Sequence, residues 1–533
     1  MSSDASSVSK PENVGEHLEQ LRPALVRSVG TTASERYLAT LAERAFLNLW
    51  SYPNPYRSQK LTGGTDGKEL CDLLVVCDPH VIVFSEKDIS WTDKPTDVAW
   101  PRWFRKAVSA AADQLKGAER WIQEFPDRIF LDKACTTPFP LNFPPSERLR
   151  LHRVVVARGA AQACREHFGG GLGTLLVMPR IRGPAHATPG AEGYTPFAIG
   201  DIEPGADFVH VFDEVALDVV LRELDTITDF TDYLDKRTVF LRSGRLIAAH
   251  GEEDLLAYYA IRTNEHGVHD FTAPAGKSWD QLDGLSLGAG HFADYVNDPQ
   301  YAAKKRADQI SYAWDRLIET FTDHVIGGTS IVLPGHTYSL TNSEMAVRYM
   351  AKVNRFDRRC HSEAIRGALE IGQGRDVFFR AMLPGPTHPD PETGFFLLTL
   401  KYLPWMEKEG GYEKYREFRT LLLQTYSQAM LMKHSRLQRI IGIATEPPNQ
   451  GRGASEDCVY ATQSDWSDEE RLRNREDCDA LNIMRPMKET RYTGQEFPEV
   501  RSAKWQPLTP TQGTRVERRA RQAELRRARR KGS

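Results

Sequence analysis

Apolar positions along this chain recur with two periods, and the switches between them mark out its elements. In SERYLATLAERAFLNLW, residues 34–50, Leu38, Leu41, Ala45 and Leu49 return at helical spacing behind a capping Ser34. Runs of β-branched residues at about 70–77 and 80–87 then predict two strands. PRWFRKAVSAAADQLKGAERWIQE, residues 101–124, predicts an amphipathic helix with Pro101 in its first turn. A strand (HRVVVARG), a short helix (AAQACREHF) and a further strand (GTLLVMP) complete an α-β-β-α-β-α-β order that ends near residue 180. The Gly/Pro-rich stretch 181–200 reads as a boundary. Residues 201–350 are mostly helical, with a strand expected in TVFLRSGRLIAAH. Residues 355–450 repeat α-β-β-α-β without sequence identity to the first unit.

The expected fold is therefore multidomain α/β. It has a flexible segment at 1–30, an α/β unit at 31–180, a helical α+β region at 201–350, a second α/β unit at 355–450 and an irregular segment at 451–533. A chain of 533 residues is too long for a single core, and 40% hydrophobic residues provide ample core material. The apolar runs are strand-sized, far short of a membrane span, and the N-terminus lacks the pattern of a secretory signal. Seven scattered cysteines with no CxxC pair suggest reduced thiols and a cytoplasmic setting, and argue against a zinc ribbon. The net charge of −3 hides a basic tail, RVERRARQAELRRARRK, with nine basic and two acidic residues. Such a block solvates a chain end or holds a polyanion.

Chemistry concentrates in GKELCDLLVVCDPHVIVFSEKD, residues 67–88. Side chains alternate across a strand, so Ser85 and Lys87 share one face while Glu86 points to the other. Asp72 on the neighbouring strand falls beside the first two, and Glu43 on the preceding helix shares a stripe with Ala39, Phe46 and Trp50. Carboxylates can hold Mg²⁺, which prefers oxygen ligands, and a lysine adds positive charge where a phosphate is attacked.

A helix Glu, a strand Asp, a lysine closing the next strand and a Gln on the following helix resemble the PD-(D/E)XK nuclease superfamily, over about residues 34–180. The resemblance implies catalytic roles for Asp72, Lys87 and Glu43, with Gln114 beside them and Asp72, Glu43 and Glu86 as candidate Mg²⁺ or Mn²⁺ ligands. It departs at Ser85, where the family usually places Asp, Glu or Gln. Glu86 would serve only if a twist turned it to the Asp72 face, and Glu69 is an alternative. The implied activity is metal-dependent cleavage of nucleic acid, DNA ahead of RNA, in a setting such as restriction or antiviral defence. Protein partners or self-association stay open, and no membrane is involved. The competing expectation is an inactive nuclease fold that acts as a nucleic-acid- or protein-binding scaffold.

Other motifs carry less. TGGTDGKE lacks the first glycine and the hydroxyl residue of a P-loop, and GGGLGT follows a helix rather than a strand. Cys360-His361-Ser362-Glu363 has no P-C-x-x-C to complete a zinc deaminase. Arg102, Arg105 and Lys106, interleaved with Trp100 and Trp103, form one basic cluster, and Arg355, Arg358 and Arg359 form another. Both are candidate nucleic-acid contacts. Glu363, Asp376 and Thr399-Leu400-Lys401 faintly echo Glu43, Asp72 and Ser85-Glu86-Lys87.

Overall fold

The computed structural model describes residues 28–59, 66–331, 340–448, 455–484, 488–492 and 494–498. The basic tail and nearly all of the 1–30 segment lie outside them. The molecule is mixed α/β, as expected. The described residues within 27–309, 352–357 and 493–533 form one compact unit, and those within 310–351 and 358–492 form another.

The first unit is built on a five-stranded sheet of β1 (Ser51–Pro53), β2 (Leu73–Cys77), β3 (His80–Asp88), β4 (Arg150–Arg158) and β5 (Val209–Asp213), adjacent in that order. β1–β2 and β2–β3 run antiparallel, whereas β3, β4 and β5 run parallel. The inner strands are apolar on both sides because both faces are covered, which is why they read as runs rather than alternations. Helix α1 (Ala33–Phe46) lies on one face, where Phe46 meets Phe84 with ring centroids 6.2 Å apart. Helix α2 (Thr96–Phe104) passes through a π-turn at Arg105–Ser109 into α3 (Ala110–Glu124). These helices span the crossover from β3 to β4, and α3 covers the opposite face. α1 stops earlier than its periodicity suggests, because Leu47 adopts φ 64° and turns the chain towards β1.

Two readings of the first unit need correction. The 181–200 stretch is packed structure. Its His186 is fully buried, stacks on Phe104, and accepts the Gly200 amide at Nε2 (2.9 Å). Nδ1 lies 2.8 Å from the Gly183 carbonyl, and Trp100 Nε1 donates to the His186 carbonyl at 2.8 Å. Beyond this stretch the chain returns to the same sheet as β5. In TVFLRSGRLIAAH, residues up to Arg242 complete helix α4 (Ile227–Arg242), and only Leu246–Ala249 is strand, after Gly244 turns at φ 75°.

The second unit holds β6 (Val377–Met382), β7 (Thr393–Leu400), β8 (Arg439–Thr445) and β9 (Asp457–Thr462), again adjacent in order. Helix α5 (Arg355–Gly372) precedes β6, and α6 (Gly411–Lys433) links the parallel pair β7–β8. The sequence β6-β7-α6-β8 repeats the path of β2-β3-α3-β4: an antiparallel hairpin, then a helical crossover to a parallel neighbour. The register of the echoing residues differs. Leu73 pairs with Phe84, which sets Asp72 opposite Ser85, whereas Val377 pairs with Leu400, which sets Asp376 opposite Lys401. Lys401 therefore stands where Ser85 stands, two residues short of the place of Lys87.

Candidate active site

Asp72 immediately precedes β2, and its buried carboxylate reaches across the strand end to accept the Glu86 amide at 2.5 Å. Lys87 Nζ lies 3.6 Å from Asp72 Oδ2 and donates to Gln114 Oε1 at 2.8 Å. Ser85 Oγ donates to the same Gln114 oxygen at 3.0 Å. Strand parity thus brings Asp72, Ser85 and Lys87 together, and Gln114 on α3 closes the group from above the sheet.

Two further carboxylates adjoin it. Glu69 Oε1 and Glu35 Oε2 both accept from Asn54 Nδ2, at 2.7 and 3.1 Å. The Asn54 backbone N–H in turn donates to the Asp72 carbonyl at 3.0 Å. Burial raises the pKa of Asp72 above the usual range; Lys87 and the Glu86 amide oppose the rise and Glu35 adds to it. Glu69 is also raised, by burial and by the charges of Asp72 and Glu35, against the Asn54 hydrogen bond. Burial would raise Glu35 too, but the Thr31 and Thr32 amides outweigh it and hold that carboxylate low. Negative charge is thus concentrated beside one half-buried lysine, an arrangement that a divalent cation would relieve.

Glu43 is not part of this group. The buried arc of α1 runs through Leu38, Ala39, Leu41, Ala42, Ala45 and Phe46, and Glu43 falls outside it, exposed to solvent. Glu35, two turns earlier, is the α1 acid that reaches the site. It was hidden because it also closes a capping box with Thr32, an ordinary helix-start signal. Asn54 carries even less signal, a polar residue between two prolines whose role depends on tertiary packing. Glu86 stays on the opposite face, as parity requires, and its nearest cation is Arg158 at 3.5 Å. Burial raises its pKa to about 7 against the pull of Arg158 and of the Ser34 hydroxyl.

The two basic clusters separate clearly. Arg102, Arg105 and Lys106 are exposed on α2 and the π-turn, while Trp100 and Trp103 are core. Trp103 Nε1 donates to the carbonyls of Ile89 and Arg158, which places α2 at the Lys87 end of β3 and β4. Arg355, Arg358 and Arg359 are instead buried. Arg355 Nε pairs with Asp225 Oδ1 at 2.8 Å, and Arg358 Nη1 pairs with Asp315 Oδ1 at 2.6 Å. A buried guanidinium matched to an internal carboxylate is not placed to receive a phosphate.

A second group, at the other end of the strands, was not anticipated. His80, His152 and Asp235 each offer a ligand atom within 4.8 Å of the other two, so together they could hold a metal ion. No family model, curated protein or solved structure matches this chain, so the chemistry of both groups is read from the residues themselves.

Proposed function

We propose that this protein is a metal-dependent endonuclease, hydrolysing phosphodiester bonds at the Asp72 end of β3, with DNA the first candidate substrate. The observation that carries this reading is the placement of Lys87 Nζ, 2.8 Å from Gln114 Oε1 and 3.6 Å from Asp72 Oδ2. Asp72 and Glu69, both raised by burial and by neighbouring carboxylates, are the residues that would hold Mg²⁺ or Mn²⁺. Magnesium sites that meet a phosphate commonly use one or two carboxylates and keep waters, so an acid at position 85 is not essential. When bound, the cation supplies an activated water and neutralises charge on the phosphate.

The chain's own residues supply the rest. Lys87, with 29% of its side chain exposed, reaches solvent and offers its ammonium to the phosphate oxygen that gains charge. Gln114 fixes that ammonium by hydrogen bonding, and Asn54 spaces Glu35 from Glu69. Arg102, Arg105 and Lys106 present cations at the same strand end, where a nucleic-acid backbone would lie.

A second reading, an inactive nuclease fold that binds nucleic acid or a protein partner, is favoured by one observation. Ser85 occupies the usual acid's place and commits its hydroxyl to Gln114. Plasmid DNA and RNA incubated with the full chain and Mg²⁺ or Mn²⁺ decide between the two. Cutting by the wild type that is lost in Lys87→Ala and Asp72→Asn supports the enzyme. Salt-sensitive binding without cutting under either metal rejects it.

A further inference from the structure

We infer that His80, His152 and Asp235 form a binding site for a zinc-class transition cation, separate from the carboxylate site and serving to clip helix α4 to the sheet. His80 opens β3, and His152 is the third residue of β4. His80 pairs with Arg150 and Ile82 with His152, so both imidazoles fall on the face that carries Phe84. Helix α4 packs on that face, where Phe230 stacks with Phe84, and one turn further along it presents Asp235.

The distances suit coordination. His80 Nδ1 and His152 Nε2 stand 3.0 Å apart, and two nitrogens on one tetrahedral zinc stand about 3.3 Å apart at ordinary bond lengths. A carboxylate oxygen of Asp235 lies within 4.8 Å of a nitrogen of each ring, and the side chain is 44% exposed, so it can rotate inwards towards the His80–His152 pair and leave one coordination position open to water. Two imidazoles and a carboxylate select borderline cations such as Zn²⁺, Co²⁺ or Ni²⁺ over Mg²⁺, which seeks oxygen.

The cationic groups facing the site are Arg150, with Nη1 3.7 Å from Asp235 Oδ2, Lys236, whose charge reaches Asp235, and Lys352, whose charge reaches His80. The Arg150 side chain is 63% exposed, so it can swing into solvent as a cation enters. His210 on β5 lies next in the row of histidines, but its ring is engaged by Arg237 at 3.3 Å and Thr238 at 3.4 Å. His80 and Lys87 lie at opposite ends of β3, about 23 Å apart along an extended strand, so the two groups cannot share one ion.

The test is cobalt titration of the chelator-stripped full-length protein, followed by visible absorption. One equivalent should bind with tetrahedral d–d bands and no thiolate charge-transfer band. Zn²⁺ should displace it, excess Mg²⁺ should not, and the unfolding midpoint should rise. His80→Gln and Asp235→Asn, both at partly exposed positions and checked for folding by circular dichroism, should each weaken Co²⁺ binding at least tenfold. Asp72→Asn should leave it unchanged, which keeps this site distinguishable from the proposed nuclease site. Absence of Co²⁺ binding by the wild type, binding through thiolates, or affinity unchanged in both variants would overturn the assignment.

Discussion

Asp72 has a structural duty beside its proposed chemical one: it accepts the Glu86 amide while facing Lys87. Substitutions there must separate the two. Asp72→Asn keeps an acceptor and should fold normally while losing about 10²-fold or more of any cleavage. Asp72→Ala should lose cleavage to the same degree and also cost about 1–3 kcal/mol in urea unfolding, because the buried amide is left unsatisfied. Glu86 offers a test by pH. Its pKa is raised to about 7 in the folded protein, so the folded state binds the proton more tightly than the unfolded chain does. Its contribution is therefore present at low pH and is lost as pH rises from about 4.5 through 7. Glu86→Gln should flatten that decline and gain about 1–2 kcal/mol at pH 8, read by denaturation at pH 5 and pH 8. At this scale strand parity made Asp72, Ser85 and Lys87 legible in the sequence, along with the turn of Glu86 to the opposite face. Glu43 was a misreading of where the buried arc of α1 lies, and the Glu35–Asn54–Glu69 bridge depends on three segments meeting, which no local pattern encodes.

Among the elements, the segment that closes over Trp100 and Phe104 shows how composition misleads. Glycine and proline at 181–200 suggested a linker, yet a single 3₁₀ turn at Gly183–Ala187 buries His186 as an acceptor for Gly200. His186→Ala should cost about 2–4 kcal/mol, combining a cavity with an orphaned amide, and would be measured by urea unfolding. The inner strands and the long helices were readable because their apolar periods are long, but the strand Val209–Asp213 lies in a region expected to be helical, and the strand Asp457–Thr462 and helix Asp468–Ala480 lie in the segment 451–533 expected to be irregular. The α-β-β-α-β repeat was also visible as an order of elements. Whether that order carries a second site was not, because only the pairing register shows Lys401 standing two residues short of the place of Lys87.

For the molecule as a whole, the chain does not divide where its composition changes. It leaves the first unit near residue 309 and returns at 352–357, where Arg355 pairs with Asp225 and its amide donates to Asp229. Arg355→Ala should therefore destabilise the unit that carries Asp72, by about 3 kcal/mol, although it lies far along the chain. Calorimetry of the full-length variant should show the loss in that unit's transition. The buried titratable groups set a stability optimum. Burial holds His186 at about 4 and lowers His210, so their contribution is lost as pH falls below about 6.5. Burial raises Asp213 to about 7, so its contribution is lost as pH rises from about 3.8 through 7. Between about pH 4 and 6.5 the two trends oppose one another, and above about 6.5 only the decline remains, so thermal midpoints should fall between about pH 6.5 and 8.

The capping box at the start of α1 has one more consequence, for the order in which the protein matures. Glu35 is tied to the amides of Thr31 and Thr32 and shares Asn54 with Glu69, so the first turn of α1 cannot fray without loosening the acidic cluster. A newly made chain with the β2–β3 hairpin formed but α1 not yet seated has Asp72 and Lys87 near one another and no completed pocket. Completion of the acidic cluster is thereby tied to the docking of the α1 N-terminus.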